Sequence, residues 1–464
     1  MRRLWAILLC LTSLLAHAQL RPGQRVDILR SSTVTVKRTS QGPLTVLKGD
    51  VALKNKEGIF YCDSAHWWKR EDRFLAYGSI RYKGNAGVVI QSQTLDYKEG
   101  LTFLRGNVIL VHEGQTLRTP SLRFDTESGM GVFQQGGEVR TTDGDLTCQS
   151  GRYMSNEEHF IFEGNVHAVT EEYVLECPKL EQWPKERRYL VPKGGMAYNR
   201  TGRTEDQQSG HISFERAYLW SSKDLQQSAF AGEVKGKDST IQFTADSLYR
   251  REGETELFGG STPAKWADWS NDSLEIHGTY IYKDAFMAIA KGAVKTFAKG
   301  VSSTSAYVEW LQADSVFYFY GSPRIWTSDY LLCSDTLRWF QQHPSGLDSI
   351  YGVGEVHLSK PVDSLRYDEM SGNTLHGFLH NEGAKQLTVS GNAQALLQTD
   401  PTRTSHIACA AIVLDFAHGK LVSALFQKSP TGDVAAPLEG NHLPGFSGNA
   451  SSPPARMAPI FGLK

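Results

Sequence analysis

The chain is poor in cysteine, has no long apolar segment beyond its first residues, and carries no marked excess of charge. Six cysteines stand among 464 residues. Five of them (Cys62, Cys148, Cys177, Cys333 and Cys409) lie outside the N-terminal apolar run, and an odd, widely spaced set is not a disulfide framework. Cys62 and Cys333 sit in apolar strand contexts and read as buried free thiols, with one or two bridges left open. The formal net charge of −1 falls to −3 once Arg2 and Arg3 are removed with a leader, and nothing in it suggests a nucleic-acid partner. Long amphipathic helices are missing; the best candidate, residues 285–290, fits a strand equally well. So are the motifs of catalysis: no His-Glu-x-x-His, no Gly-x-Ser-x-Gly, no phosphate loop followed by Lys-Ser/Thr, no Cys-x-x-Cys. No catalytic residue, metal ligand or cofactor is expected, and the chain does not read as an enzyme. His66 and His343 read as loop histidines. Trp67, Trp68, Trp266, Trp269, Trp310, Trp326 and Trp339 read as core and hairpin residues ahead of sugar-stacking platforms.

What is present begins with a leader. Arg2 and Arg3 precede an apolar run over residues 4–15 and then Ala16-His17-Ala18, a small-x-small site whose cleavage would leave Gln19 first. The run is too short to remain as a membrane span. Cys10 follows Leu8 and Leu9, not the small residue of a lipoprotein signal, so no lipid anchor is expected.

Beyond the leader a glycine-led tag recurs about every thirty residues: Gly49-Asp50-Val51, Gly78-Ser79-Ile80, Gly106-Asn107-Val108, Gly137-Glu138-Val139, Gly164-Asn165-Val166, Gly232-Glu233-Val234, Gly259-Gly260-Ser261, Gly292-Ala293-Val294, Gly321-Ser322-Pro323, Gly354-Glu355-Val356 and Gly391-Asn392-Ala393. A fixed period implies one supersecondary unit stacked on its neighbours. Between tags, short apolar alternations and charged turns succeed one another: Val51 and Leu53, Asn55-Lys56-Glu57-Gly58, Ile59-Phe60-Tyr61-Cys62, Trp67-Trp68, Lys69-Arg70-Glu71-Asp72, Phe74-Leu75-Ala76-Tyr77. Period two with turns means β-hairpins, about three short strands per repeat. Glycine fits a position where the backbone bends or takes positive φ. The recurring Asp63, Asp96, Asp125, Asp246, Asp314 and Asp335 fall at or near strand ends and read as structural, bonding turn amides.

The pattern predicts a signal peptide over 1–18, a first repeat domain over 19–180, a linker over 181–210 where Pro184, Pro192, Gly194-Gly195 and a polar run interrupt the repeat, a second repeat domain over 211–428, and a disordered tail over 429–464 rich in proline, glycine, alanine and serine.

The series Leu47-Lys48-Gly49-Asp50-Val51, Ile59-Phe60-Tyr61-Cys62-Asp63-Ser64-Ala65 and Phe74-Leu75-Ala76-Tyr77-Gly78-Ser79-Ile80 resembles the repeat of the OstA-like / LptA family, which includes a periplasmic lipopolysaccharide-transport bridge protein. Residues 363–368, 387–393, 412–416 and 420–422 resemble the later part of longer two-domain members, so the resemblance covers roughly residues 26–430. It implies an all-β fold of stacked antiparallel β-jellyroll repeats forming two open, apolar-grooved barrels. It further implies a non-catalytic periplasmic carrier that shields the acyl chains of lipopolysaccharide (lipid A) on the way to the outer membrane. The groove-lining residues implied are Val51, Leu53, Ile59, Tyr61, Ile80, Tyr82, Val108, Leu110, Val356 and Leu358, while Lys54 faces water. Implied partners are other jellyroll-containing transport proteins, joined by edge-strand pairing, and transport complexes of the inner and outer membranes. The alternative is a structural or adhesive β-solenoid that binds a polysaccharide or protein; its core would be filled by side chains, where a carrier keeps a slot for ligand.

Overall fold

A computed structural model describes residues 26–436, 442–443 and 453–454, apart from short internal segments of which 200–209 and 342–347 are the longest. The leader, its cleavage site, Cys10 and His343 lie outside the described residues. Those described form 36 β-strands and one 3-10 turn, Lys69–Glu71. All pairings are antiparallel, so the all-β jellyroll-like class stands. The chain divides into two compact units, Met1–Gly232 and Glu233–Lys464.

The first unit opens with β1 (Asp27–Arg30), β2 (Thr33–Thr39), β3 (Gly42–Lys54), β4 (Gly58–Trp68), β5 (Arg73–Gly84), β6 (Val89–Lys98), β7 (Leu101–His112) and β8 (Gln115–Asp125). From β2 to β8 each strand pairs with the next, while β1 takes the C-terminal half of the β3 edge and β2 the N-terminal half. Alternation supplies the faces: on β5, Phe74, Ala76, Ile80 and Tyr82 are buried while Arg81 and Lys83 are exposed.

The glycine tags interrupt this ladder. Pairing of β3 with β4 skips from Lys48 opposite Ser64 to Val51 opposite Cys62, so Gly49 and Asp50 together face Asp63 in a bulge. Both take the left-handed conformation, with φ of 78° and 48°. The same double arrangement recurs at Gly78, Gly106, Gly164, Gly232, Gly292, Gly321, Gly354 and Gly391, nine of the eleven tags, and is absent at Gly136-Gly137 and Gly259-Gly260. Glycine is required for space as well as for φ. A β-carbon on Gly78 would lie 2.0 Å from Asp63 Oδ2, and one on Gly354 2.1 Å from Asp335 Oδ2. Asp63, inside β4, and Asp335, at the strand end between Leu331–Cys333 and Thr336–Phe340, thus each lie against a tag glycine of a later strand, and the Asp335 amide donates to the Gly354 carbonyl at 2.9 Å. Asp125 does serve a turn: its Oδ1 accepts from the amides of Glu127 and Ser128 at 2.9 and 3.3 Å.

Each bulge splits its strand into two arms, and one core lies between them. Leu47, Ala65, Phe74, Ala76 and Tyr97 on arm A cluster with Val51, Leu53, Cys62 and Ile80 on arm B. Phe60 of arm B meets Phe74 of arm A edge to face, with ring centroids 5.6 Å apart. The second unit repeats this construction. Trp266 on Ala264–Asp268 and Trp310 on Val301–Leu311 approach to 6.5 Å across the interior, and Trp310 stacks on Phe317 at 5.5 Å. Four long strands, Asp348–Pro361, Tyr367–His380, Gly383–Asp400 and Arg403–Ala417, then pair in sequence order.

Two expectations change. The stretch 181–210 carries strands Arg188–Val191 and Gly195–Asn199, both laddered onto Tyr173–Trp183. Pro192 and Gly194 fall between those strands, where a missing donor and a positive φ are tolerated. The division into units comes later, at Gly232 within Gln226–Lys237. In the tail, Thr431–Ala435 pairs with Arg403–Ala417, and Leu443 is buried.

Gly78→Ala is expected to lower stability by the roughly 1–2 kcal/mol left-handed penalty plus the clash with Asp63. Gly87→Ala, at φ 80° with nothing within 4 Å, should carry only the first part. Thermal or urea unfolding of the two variants, with the larger loss at Gly78, checks this.

Candidate functional site

The interior between the arms is the one feature that the repeat builds again and again. On arm B of the first unit, Val51, Leu53, Ile80, Tyr82, Val108 and Leu110 are all buried, and in the second unit so are Val356 and Leu358. Register assigns them to inward rows: Leu53 pairs with Phe60, which pairs with Tyr82, and Val108 and Leu110 continue on β7 beside Thr119 and Leu117.

Ile59 and Tyr61 do not join them. Ile59 pairs with Lys54 and Lys83, and Tyr61 with Ala52 and Arg81, so both lie on the outer face. Ile59-Phe60-Tyr61-Cys62 is apolar throughout, so its own alternation gives no phase. Pairing with β3 supplies the phase and turns Phe60 and Cys62 inward instead. Phe60 was thus available from the sequence only through its partner.

The middle of the interior is filled. Val51 and Leu110 have no exposure, and side chains from the two arms occupy the space between them. At the terminal strands the rows emerge. Ile28 and Val34, opposite inward Leu53 and Leu47, are exposed, and so is Val36 at 66%. At the other end of the second unit, Leu421 is exposed opposite buried Phe416, and Val434 on the neighbouring strand is exposed at 64%. Among the described residues β1 and β2 pair only with β3, and Lys420–Gln427 and Thr431–Ala435 only with Arg403–Ala417. Both ends therefore combine an open hydrogen-bonding edge with uncovered apolar side chains.

The polar chemistry lies elsewhere. All five cysteines are free. Burial, aided at Cys62 by the charge of Asp63, pushes the Cys62 thiol up to about 12 and the Cys148 thiol to about 12, and burial pushes Cys177 to about 11; such thiols stay protonated and inert. His66 stands edge-on to Trp68 and Tyr77, its pKa lowered by burial and then by Lys48 and Lys37. Trp266, Trp310, Trp326 and Trp339 are core residues, whereas Trp269 is exposed. Trp67 packs at the rim of the core and Arg73 lies over the Trp68 ring. Among the described residues no group of three or more His, Cys, Asp or Glu side chains is placed to hold a metal ion.

One polar cluster was not legible in the sequence. Glu369 is fully buried, accepts from His442 Nδ1 and from the Leu443 amide at 2.8 Å, and has His357 Nε2 at 3.8 Å. It ties residues 442–443 to Tyr367–His380 across more than seventy positions, a separation at which local pattern carries no signal.

An interior lined by these apolar rows excludes water and can accept apolar matter if its arms part. Residues 23–177 match the family model described as OstA-like protein. That family is a periplasmic transport and binding family, not an enzymatic one. No curated protein matches the chain. Among the described residues, no helix is long and apolar enough to cross a membrane.

The Glu369 cluster makes acid stability testable. Burial, and after it the neighbouring His442, lowers His357 from 6.5 to about 4. Below pH 6.5 the unfolded chain binds a proton that the folded chain refuses, so this contribution is complete above 6.5 and lost as pH falls through 4. The expected slope is at most about 1.4 kcal/mol per pH unit. Unfolding transitions of the second unit measured from neutral pH down to 4 should show it, and His357→Gln should flatten it.

Proposed function

We propose, from an OstA-like first unit as premise, that the chain is a non-catalytic carrier in the periplasm that shields the acyl chains of lipopolysaccharide between the two arms of its bent strands. Two jellyroll domains in one chain would supply two successive stretches of apolar interior. The open terminal edges would pair with other jellyroll-containing transport proteins, and through them with complexes at the inner and outer membranes. The observation that carries the reading is the pair of inward rows left uncovered at the terminal strands: Ile28, Val34 and Val36 at one end, Leu421 at the other.

The energetics fit such a task. Each methylene removed from water contributes about 0.8 kcal/mol, so an acyl chain can replace the contacts that the arms lose when they part. Repetition spreads this over many similar positions without one deep trap, which suits movement along a path. The OstA-like match at residues 23–177 supports a transport role of this kind.

The filled interior favours a second reading, a structural or adhesive repeat protein that binds a polysaccharide or protein partner on its outside. One experiment separates the two. A photo-crosslinking residue placed in cells at Val34, Leu53 or Lys54 is expected to capture lipopolysaccharide at the first two and not at Lys54. Lack of adducts at Val34, Leu53, Leu110 and Val356 alike would overturn the carrier reading and leave the scaffold.

A further inference from the structure

The outer face of arm B in the first unit is apolar and basic at once. Its apolar members are Ile59 and Tyr61 on β4, Val89 on β6, and Ile109 and Val111 on β7, all partly exposed. Register places them beside Arg81 and Lys83 of β5, which stand between β4 and β6 and are both exposed. Lys54 on β3 and Arg118 on β8, also exposed, border the same rows, opposite Ile59 and Ile109. Among the described residues, no outward position of this arm on β4 to β7 is a carboxylate. The carboxylates at its margins are engaged or peripheral: Asp50 pairs with Arg30 at 2.7 Å, Asp63 lies at the bend of β4 against Gly78, Glu138 stands opposite Arg118 and pairs with Arg140, and Asp27 lies opposite Lys54 on the edge strand.

Arm A of the same strands is different. Its outward positions carry Lys48, Lys98, Arg105 and Arg123 beside Leu101 and Phe103, but also Asp96, 3.9 Å from Arg73, and Asp125, so charge there is mixed. What sets arm B apart is that its cations stand among apolar side chains with no carboxylate between them. Solubility alone does not account for cations set strand by strand among Ile, Val and Tyr, because an ordinary solvent-facing sheet carries polar residues at those positions.

We infer that this face docks on the surface of a bilayer rich in anionic phospholipid. Apolar side chains reach the boundary of the acyl region while flanking Lys and Arg extend their charged heads to lipid phosphates. Each cation adds attraction that falls off within a Debye length. An acidic protein would have to match five interleaved apolar side chains and their flanking cations position by position, whereas a fluid anionic surface adapts to both. The inference does not depend on what the interior carries.

The test is co-sedimentation of the full chain with vesicles of phosphatidylcholine alone or mixed with phosphatidylglycerol. Binding is expected only to the mixed vesicles and should weaken as salt is added. Arg81→Glu combined with Lys83→Glu should lower it about tenfold or more, and Ile109→Gln should lower it as well. Arg105→Glu combined with Arg123→Glu, on arm A, should change it less than about twofold if attraction is confined to arm B. Thermal unfolding verifies that each variant is folded. Absence of vesicle binding, equal loss in both charge-reversed pairs, or capture by an acidic polypeptide without capture by vesicles would each overturn the proposal.

Discussion

Two consecutive left-handed residues inside a strand are the constraint on which the architecture depends. A strand cannot run flat through Gly49-Asp50 or Gly354-Glu355, so it bends there, and the next strand must bend at a matching height to keep its hydrogen bonds. Repeating the bend strand after strand makes two facing half-sheets from a single ladder. The apolar rows of each strand then close on one another. Glycine has a second duty, since the missing β-carbon is the space into which a neighbouring side chain fits: Asp63 at Gly78, Gln93 at Gly106, Gln149 at Gly164, Asp335 at Gly354. At these tags the polar residue opposite is part of the packing, which accounts for Asp63 and Asp335 without a chemical role.

This construction sets where the molecule is closed and where it is open. Within the first unit, inward rows have neighbours on each side and an arm opposite, and residues such as Val51 and Leu110 are sealed. A terminal strand has a neighbour on one side only, so inward residues like Val34 emerge. Exposed edges of this kind are ordinarily an aggregation liability; here they coincide with the uncovered ends of the apolar rows, and a partner strand would cover both at once. Nearest-neighbour stacking also means that stability accumulates repeat by repeat, so a local parting of the arms need not unfold the rest.

Much of this was legible in the chain. The glycine period, the turns and the alternation on β5 and β7 define strands, bends and inward residues, because each depends only on neighbours within a few positions. The all-apolar run Ile59-Phe60-Tyr61-Cys62 was not legible, because alternation carries no phase without polar residues to mark the outside. The prolines and glycines of 181–210 suggested a linker where short strands continue the ladder, because a bend between two strands and a break between two domains use the same residues. The attachment of Leu443 to Glu369 joins residues far apart in sequence, and no local signal could announce it.

The sequence by itself determined the class of fold, the position of each bend and the residue types available for an interior, since backbone conformation and side-chain period are local properties. Only the tertiary structure decided which face of an all-apolar strand such as β4 turns inward, that side chains fill the space between the arms while the terminal strands leave apolar residues bare, and that apolar and basic residues of separate repeats share one outer face. Those are matters of register between strands, and register is set by pairing partners rather than by any strand alone.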